Sequence, residues 1–207
     1  QNRFRYLVGL REKREFADST YIGKRREVFW DDFLIDTSKT TASKKLHECI
    51  RREAVMIHDE PWEGDGCNYH NFICDNGLYR MYYLGWNMIS PDGSQHTLSG
   101  IRVCYAESKD GINWVKPKLG LREFNGSKEN NIILDKNDNS FDNFFVFIDE
   151  NPTCPAAEKY KGIGSVGDGL WCFVSPDGLN FKKGWLLTNK GQFDTMNVII
   201  WDAKRKK

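Results

Sequence analysis

The chain has 207 residues, of which 40% are hydrophobic and 14% aromatic, so it can build a folded core and does not resemble a disordered chain. Its formal net charge is +1 and its Lys and Arg residues are spread along the sequence, which argues against a nucleic-acid-binding surface. No apolar run reaches the roughly 18 residues of a membrane-spanning helix. We therefore expect neither nucleic acid nor a membrane as a partner.

The cysteine pattern excludes two common kinds of site. Six cysteines form no C-x-x-C pair, which makes a zinc site improbable, and a disulfide framework is not typical of a chain this long. The spacing of His, Asp and Glu forms no metal motif, and no phosphate loop or dinucleotide fingerprint is present. We expect no cofactor. Free thiols in apolar patterns and a charged start without a signal-peptide core favour a reducing compartment such as the cytoplasm.

Residues 1–58 are mixed and charged, and we interpret them as an N-terminal arm that packs on the rest of the chain. Alternation predicts a strand from Val28 to Ile35, interrupted by two aspartates. Residues 43–58 are ambiguous, because apolar residues at helical spacing are followed by an extended pattern.

From residue 59 onward the chain predicts one short strand after another. Residues 67–77 and 78–86 form a hairpin pattern around Asn76-Gly77, the strongest short hairpin signal. Residues 101–107 then alternate between two unequal faces and lead into a polar turn.

That turn occurs twice in matching contexts. The pattern Ser-x-Asp-Gly-x-Asn-aromatic begins at Ser108 and returns at Ser175. Turn chemistry alone predicts structural roles for Asp110-Gly111 and Asp177-Gly178. Two such turns in equivalent strand contexts indicate a repeated β unit.

The repeated units open in a similar way. The first strand of each unit follows an acidic residue: Asp65, Asp142 and Asp194. Four antiparallel strands in a meander form the blade of a β-propeller. We therefore predict an all-β fold and a partial propeller. Its first blade spans residues 59–125, its second 126–190, and the first strand of a third lies in 191–207. A β-sandwich with two similar hairpins is the structural alternative.

The segments 61-PWEGDG-66, 102-RVCYAESKDGINWVKP-117, 119-LGLREFNGSKENNII-133 and 194-DTMNVIIWD-202 resemble the five-bladed propeller glycoside hydrolases of the arabinanase, xylosidase and invertase types. The resemblance runs from about residue 28 to the end. It implies five blades and a catalytic centre at the mouth of the central channel. This chain holds about two blades, so we expect it to be the N-terminal part of a longer protein.

Blade geometry places the starts of the innermost strands and the loops between second and third strands at the mouth. The catalytic candidates there are Asp65, Asp142 and Asp194. The candidates for substrate binding are Trp62, Asn68, His70, Trp86, His96, Asn143 and Asn197. The two tryptophans are suited to stack on sugar rings, although rim packing would also explain them. The aspartates could equally close turns or satisfy backbone amides.

Glycoside cleavage needs one carboxyl that protonates the leaving oxygen and another that acts as base or nucleophile. In the resembled family a first-blade Asp is the base or nucleophile, and a second-blade Asp supports the transition state. Asp65 and Asp142 fit these roles by position. The family's general acid is a third-blade Glu. No Glu follows Asp194, so the acid is missing here or lies beyond Lys207.

Three functions follow from this sequence. The first is a glycoside hydrolase acting on an oligo- or polysaccharide. The alternatives are a non-catalytic carbohydrate-binding propeller and an interaction scaffold. A partial propeller leaves an open sheet edge near Val198–Trp201 and exposes apolar surface. We therefore expect residues 1–207 to self-associate.

Overall fold

The structure is a computed structural model that describes residues 22–24, 26–90, 92–94, 96–135, 138, 141–167 and 169–206, without the side chains of 96–99 and 141–142. The chain divides into two compact units, Gln1–Arg51 and Arg52–Lys207. In the described residues we find no helix with the length and apolar character needed to cross a membrane.

In the first unit, the described residues from 26 onward form turns, bends and irregular segments without a strand, so the predicted strand from Val28 to Ile35 is wrong. Its aspartates explain the difference. Asp31 Oδ1 accepts a hydrogen bond from Phe33 N at 2.9 Å, and Ile35 N donates to Asp32 O at 3.0 Å. Local bonds of this kind satisfy the backbone in turns and compete with strand pairing. The ambiguous segment 43–58 contains neither a helix nor a strand.

The second unit begins its regular structure with an antiparallel sheet. Its strands are β1 (Gly66–Asp75), β2 (Leu78–Ile89), β3 (His96–Ser108) and β4 (Trp114–Val115), paired in that order. A short strand, β5 (Ile132–Leu134), pairs with β3. This sheet therefore also includes residues that follow the irregular segment 116–131. The predicted hairpin between β1 and β2 is confirmed. Asn76 has φ 51° and Gly77 has φ 81°, as a type I′ turn requires.

The second sheet has the same order of pairing. It consists of β6 (Phe141–Ile148), β7 (Tyr160–Val166), β8 (Gly169–Ser175) and β9 (Lys182–Thr188), with a 3-10 turn at Ala156–Glu158 before β7. All strand pairs in both sheets are antiparallel. The all-β prediction is therefore confirmed.

The two polar turns form the same hydrogen-bond network. In the first, Gly111 N donates to Ser108 Oγ at 2.9 Å, and Asn113 N donates to Asp110 Oδ1 at 2.7 Å. The second repeats both bonds at 3.0 and 2.8 Å, using Ser175, Asp177, Gly178 and Asn180. The structural role predicted for these residues agrees with the bonds they make.

The two sheets share a core. Phe181 packs edge-on against Tyr82 of the first sheet and Phe144 of the second, with ring centroids 6.3 and 5.4 Å apart. Strand β6 lies against β1, β2 and β3, and Val146 N donates to Asn71 Oδ1 across this contact at 2.7 Å. The first sheet buries its other face too, because Cys104 and Ala106 of β3 belong to a separate apolar cluster.

Residues 192–206 contain no strand, so the predicted first strand of a third blade is wrong for this part of the chain. Asn197 Nδ2 lies 3.2 Å from both Phe193 O and Thr195 O, and Thr195 has φ 65°. These local bonds hold residues 193–197 in a compact turn instead of an extended strand.

Candidate functional site

The first strand of each sheet has the same backbone irregularity near its start. Tyr69 of β1 has φ 52° and Asn143 of β6 has φ 60°, and both lie where the strand register shifts. Left-handed backbone occurs again at Thr195, with φ 65°, in the segment 193–197 that follows β9. Left-handed backbone is unusual for Tyr and Thr, and such strain tends to occur at ligand and active sites.

The strand register shows which polar residues are equivalent. Counting from the two matching turns, Leu84 of β2 and Ser165 of β7 occupy corresponding positions. Leu84 pairs with Asn68, and Ser165 pairs with Asp142. Asn68 is therefore the counterpart of Asp142, and Asp65 lies three residues earlier.

Asp65 is exposed and firmly anchored. Its Oδ1 accepts a hydrogen bond from Met88 N, and its Oδ2 accepts one from Ile89 N at 3.0 Å. Gly64 and Gly66 let the backbone around Asp65 lie close to the end of β2, because a Cβ at either position would overlap Trp86. Within the described residues each carboxylate oxygen accepts one backbone amide, so it has a second lone pair with which Asp65 can accept a proton or a hydrogen bond from a hydroxyl.

Three buried polar atoms near these strand starts have no hydrogen-bond partner in the described part of the chain: Asn68 Oδ1, Trp86 Nε1 and Asn143 Oδ1. All three belong to residues that the sequence predicts as substrate-binding. A buried polar group without a partner is costly, and it points to a water or ligand that completes it.

The start of β6 and the segment 193–197 meet at one carbonyl. Asn143 Nδ2 donates to Phe193 O at 3.4 Å, and Asn197 Nδ2 donates to the same oxygen at 3.2 Å. Asp194 Oδ1 accepts its neighbouring amide, Thr195 N, at 2.9 Å. The structure thus brings Asn143, Asn197 and the Asp194 backbone together. The side chains of Asp142 and His96 lie outside the part of the chain that the structure describes.

Trp62 and His70, also predicted to bind substrate, lie instead in a polar cluster around Glu63. Trp62 Nε1 donates to Asn131 Oδ1 at 2.5 Å and its ring packs edge-on against Phe124. The His70 ring stacks on Tyr83, with centroids 5.5 Å apart and planes 7° apart. Their role in sugar binding stays a prediction.

Glu63 is the centre of this cluster and is fully buried. Tyr83 OH donates to its Oε1 at 2.6 Å, while Lys116 Nζ and Glu60 N donate to its Oε2 at 2.8 and 2.9 Å. His58 Nδ1 lies 3.3 Å from Oε1. Burial opposes ionisation, but the hydrogen bonds from His58, Lys116 and Tyr83 prevail and hold the pKa of Glu63 at about 2.

The two histidines of this cluster face one another. His58 Nε2 and His70 Nε2 are 2.9 Å apart. Burial lowers the pKa of His70, and the nearby His58 lowers it further. Burial raises the pKa of the neighbouring Cys67 to about 12, so this residue remains a neutral thiol.

No pattern in the sequence points to Glu63, His58 or Lys116 as members of one cluster. Glu63 stands two residues before Asp65, but a single Glu in a loop gives no sign that it will be buried. His58 is five residues from Glu63, but Lys116 is 53 residues away, and only the fold brings both to one carboxylate.

Among the described residues, no group of three or more His, Cys, Asp or Glu side chains could hold a metal ion. The polar side chains at the starts of β1 and β6 are those of Asn and Asp. Asn both accepts and donates hydrogen bonds, and an ionised Asp only accepts them. These groups suit a neutral ligand with hydroxyls better than an anionic phosphate.

No family model matches the chain. A curated protein, Exodeoxyribonuclease I of Buchnera aphidicola subsp. Acyrthosiphon pisum (strain APS), is 28% identical over 102 residues, which is 47% of this chain. The matched region spans about a quarter (24%) of that relative's length.

Proposed function

We propose that the protein is a glycoside hydrolase of the β-propeller type that cleaves an oligo- or polysaccharide. The observation that carries this proposal is a left-handed backbone residue that recurs near the starts of β1 and β6 and again after Asp194. Asn68, Asp142 and Asp194 are each followed by a residue with left-handed backbone. Recurrence at three places argues for a shared purpose, and strained positions are characteristic of ligand sites.

Two features support the propeller arrangement. Both sheets contain a four-stranded antiparallel meander with the same Ser-Asp-Gly-Asn turn, and β5 adds a fifth strand to the first sheet. Strand β6 lies against β1, as expected for the innermost strands of neighbouring blades.

The available side chains suit sugar chemistry. Asn68 Oδ1, Trp86 Nε1 and Asn143 Oδ1 are buried and unpaired within the described residues, and they provide acceptors and a donor for sugar hydroxyls. The exposed carboxylate of Asp65 is suited to act as base or nucleophile. Asp142 and Asp194 supply further carboxylates, and glycoside cleavage uses a pair of carboxyl groups.

The test is hydrolysis of a panel of aryl-glycosides and oligosaccharides by the wild type and by Asp65→Asn. The substitution keeps the size of the side chain and one amide-binding oxygen but removes the charge. We expect turnover to fall by about 10²–10⁴-fold with little change in folding. Asp110→Asn is the matched control, because Asp110 only closes a turn, and it should keep turnover while losing some stability.

Unchanged hydrolysis in Asp65→Asn would remove this residue from the active site. Sugar binding without turnover in the wild type, measured by calorimetry, would support the carbohydrate-binding alternative. If neither hydrolysis nor sugar binding is observed, the proposal is wrong.

The local similarity to Exodeoxyribonuclease I makes DNA the second substrate class to include. Single-stranded and duplex DNA should be incubated under the same conditions. If the purified wild type releases nucleotides and does not hydrolyse sugars, its function is that of a nuclease and not of a glycosidase.

A further inference from the structure

We propose that the hydrogen bond between His58 and His70 is a pH-sensitive latch, which holds residues 52–58 on the first sheet and releases them in acid. His58 ends this segment and His70 lies in β1, and their Nε2 atoms are 2.9 Å apart. This inference concerns the Glu63 cluster and does not depend on the proposed glycoside cleavage.

Residues 52–58 are held by a few side-chain contacts. Among the described residues, no backbone hydrogen bond joins this segment to a strand. Met56 packs against the apolar cluster that includes Met81 of β2, and Lys116 Nζ donates to Ile57 O at 2.7 Å. The ring of His58 provides a third attachment. With so few contacts, the loss of one should free the segment.

The hydrogen bond tolerates one added proton but not two. Ionised Glu63 only accepts hydrogen bonds, so its contact with His58 Nδ1 places a proton on that atom. A first added proton can settle on His70 Nδ1 and leaves a single proton between the two Nε2 atoms. A second added proton puts one on each Nε2, so neither nitrogen can accept. The hydrogen bond is then lost and two cations face each other.

The surroundings offer little to compensate two imidazolium ions. Glu63 is the carboxylate in contact with His58, and it already pairs with Lys116 at 2.8 Å. Asp59 lies 3.5 Å from the same lysine and is 74% exposed. Like charges in one site oppose each other's formation. Three further titratable groups of the cluster stay neutral, because burial raises the pKa of each: Cys67, Tyr83 and Cys104.

The direction of the pKa shift sets the pH range of the latch. Burial lowers the pKa of His70 and the nearby His58 lowers it further, against the opposing effect of Glu63. The released segment therefore binds more protons than the attached one. Attachment is complete above the usual histidine pKa of about 6.5 and weakens as pH falls below it. Glu63 stays ionised in this range, because its pKa is about 2.

The test is oxidation of Met56 by hydrogen peroxide in the 207-residue protein, followed by peptide mass spectrometry at about pH 7 and about pH 5. A thioether has no proton to lose, so its own reactivity does not change between these conditions. We expect the rate at Met56 to rise severalfold in acid, toward that of Met88, which is 42% exposed. Met81 is 3% exposed and should stay slow at both pH values.

His70→Gln and His58→Gln each leave one imidazole in the contact, so Met56 oxidation in these variants should not rise in acid. His47→Gln is the matched control, because His47 is exposed, and it should behave as the wild type does. Circular dichroism checks folding, and the wild-type comparison decides the question even if both latch variants fail to fold. An unchanged rate at Met56 in the wild type would overturn the proposal. So would a parallel rise at Met81, or the full acid response in folded His70→Gln.

Discussion

At the scale of single residues, the aspartates of the two matching turns illustrate how short-range chemistry fixes backbone. Asp177 Oδ1 accepts from Leu179 N and Asn180 N, each at 2.8 Å, while its Oδ2 accepts from the Asn180 side chain at 2.8 Å. Such a carboxylate is a better acceptor when ionised. The turn is therefore coupled to pH.

We expect Asp177 to make the free energy of unfolding depend on pH in the acidic range. Partial burial raises its pKa, but the bonds from Asn180, Leu179 and Ser175 outweigh this and lower the pKa from 3.8 to about 2. A group with a depressed folded-state pKa stabilises the fold above its unfolded pKa, and this contribution is lost as pH falls from about 4 to about 2. The side chain is exposed, so the contribution should be about 1 kcal/mol.

The measurement is urea unfolding between pH 7 and pH 2 for the wild type and Asp177→Asn. The variant should be less stable at pH 7 and should lose less stability on acidification. If the free energy of unfolding depends on pH in the same way in both proteins, Asp177 does not contribute the pH dependence expected here.

At the scale of elements, Glu63 fastens the segment before β1 to the first sheet. Its partners come from three parts of the chain: His58 and Glu60 precede it, Tyr83 lies in β2, and Lys116 follows β4. The pair with Lys116 is buried, with the lysine side chain only 13% exposed. Removing one partner of a buried ion pair leaves the other uncompensated.

Glu63→Gln should therefore destabilise the protein by about 3–5 kcal/mol, measured by chemical denaturation. Glu129→Gln is the matched control. Glu129 pairs with Lys118 at 2.8 Å on the surface, where both side chains are well exposed, so we expect its substitution to change stability very little. Equal effects of the two substitutions would mean that the Glu63 cluster does not hold this segment.

The strand starts also belong to this scale. A register shift with one left-handed residue begins both β1 and β6, yet the sequences there, Asn68-Tyr69 and Asp142-Asn143, share little. Acidity alone therefore aligns Asp65 with Asp142. The strand register instead makes Asn68 of the first sheet the counterpart of Asp142 in the second. Strand pairing fixes the position of a residue more strongly than the charge of its side chain does.

At the scale of the whole molecule, large apolar side chains remain exposed toward the C-terminal part of the described chain. Trp185 is 45% exposed, Val198 62% and Ile200 71%. Neighbouring apolar side chains in water favour association, because burying them against another surface is favourable.

We expect the 207-residue protein to self-associate with rising concentration in sedimentation velocity, and Val198→Lys/Ile200→Lys to reduce this association. Ile112→Lys is the control, because Ile112 is 49% exposed in the first polar turn and should not affect association. A monodisperse wild type across micromolar concentrations would contradict the expectation.

Much of the fold was predictable because its signals are local. Asn76-Gly77 predicts its hairpin, and β3 alternates so regularly that Val103 and Cys104 enter different cores. The strand predicted at Val28–Ile35 failed for an equally local reason. Its aspartates favour turns, and alternation without a partner strand does not make a sheet.

The sequence by itself determined the all-β class, the two meanders and their matching turns, since each depends on residues within a few positions of one another. Only the tertiary structure decided which polar residues meet. Glu63, His58 and Lys116 form one cluster because β2 and the loop after β4 converge there. Burial and pairing of charges depend on neighbours that are distant along the chain, and no local pattern encodes that distance.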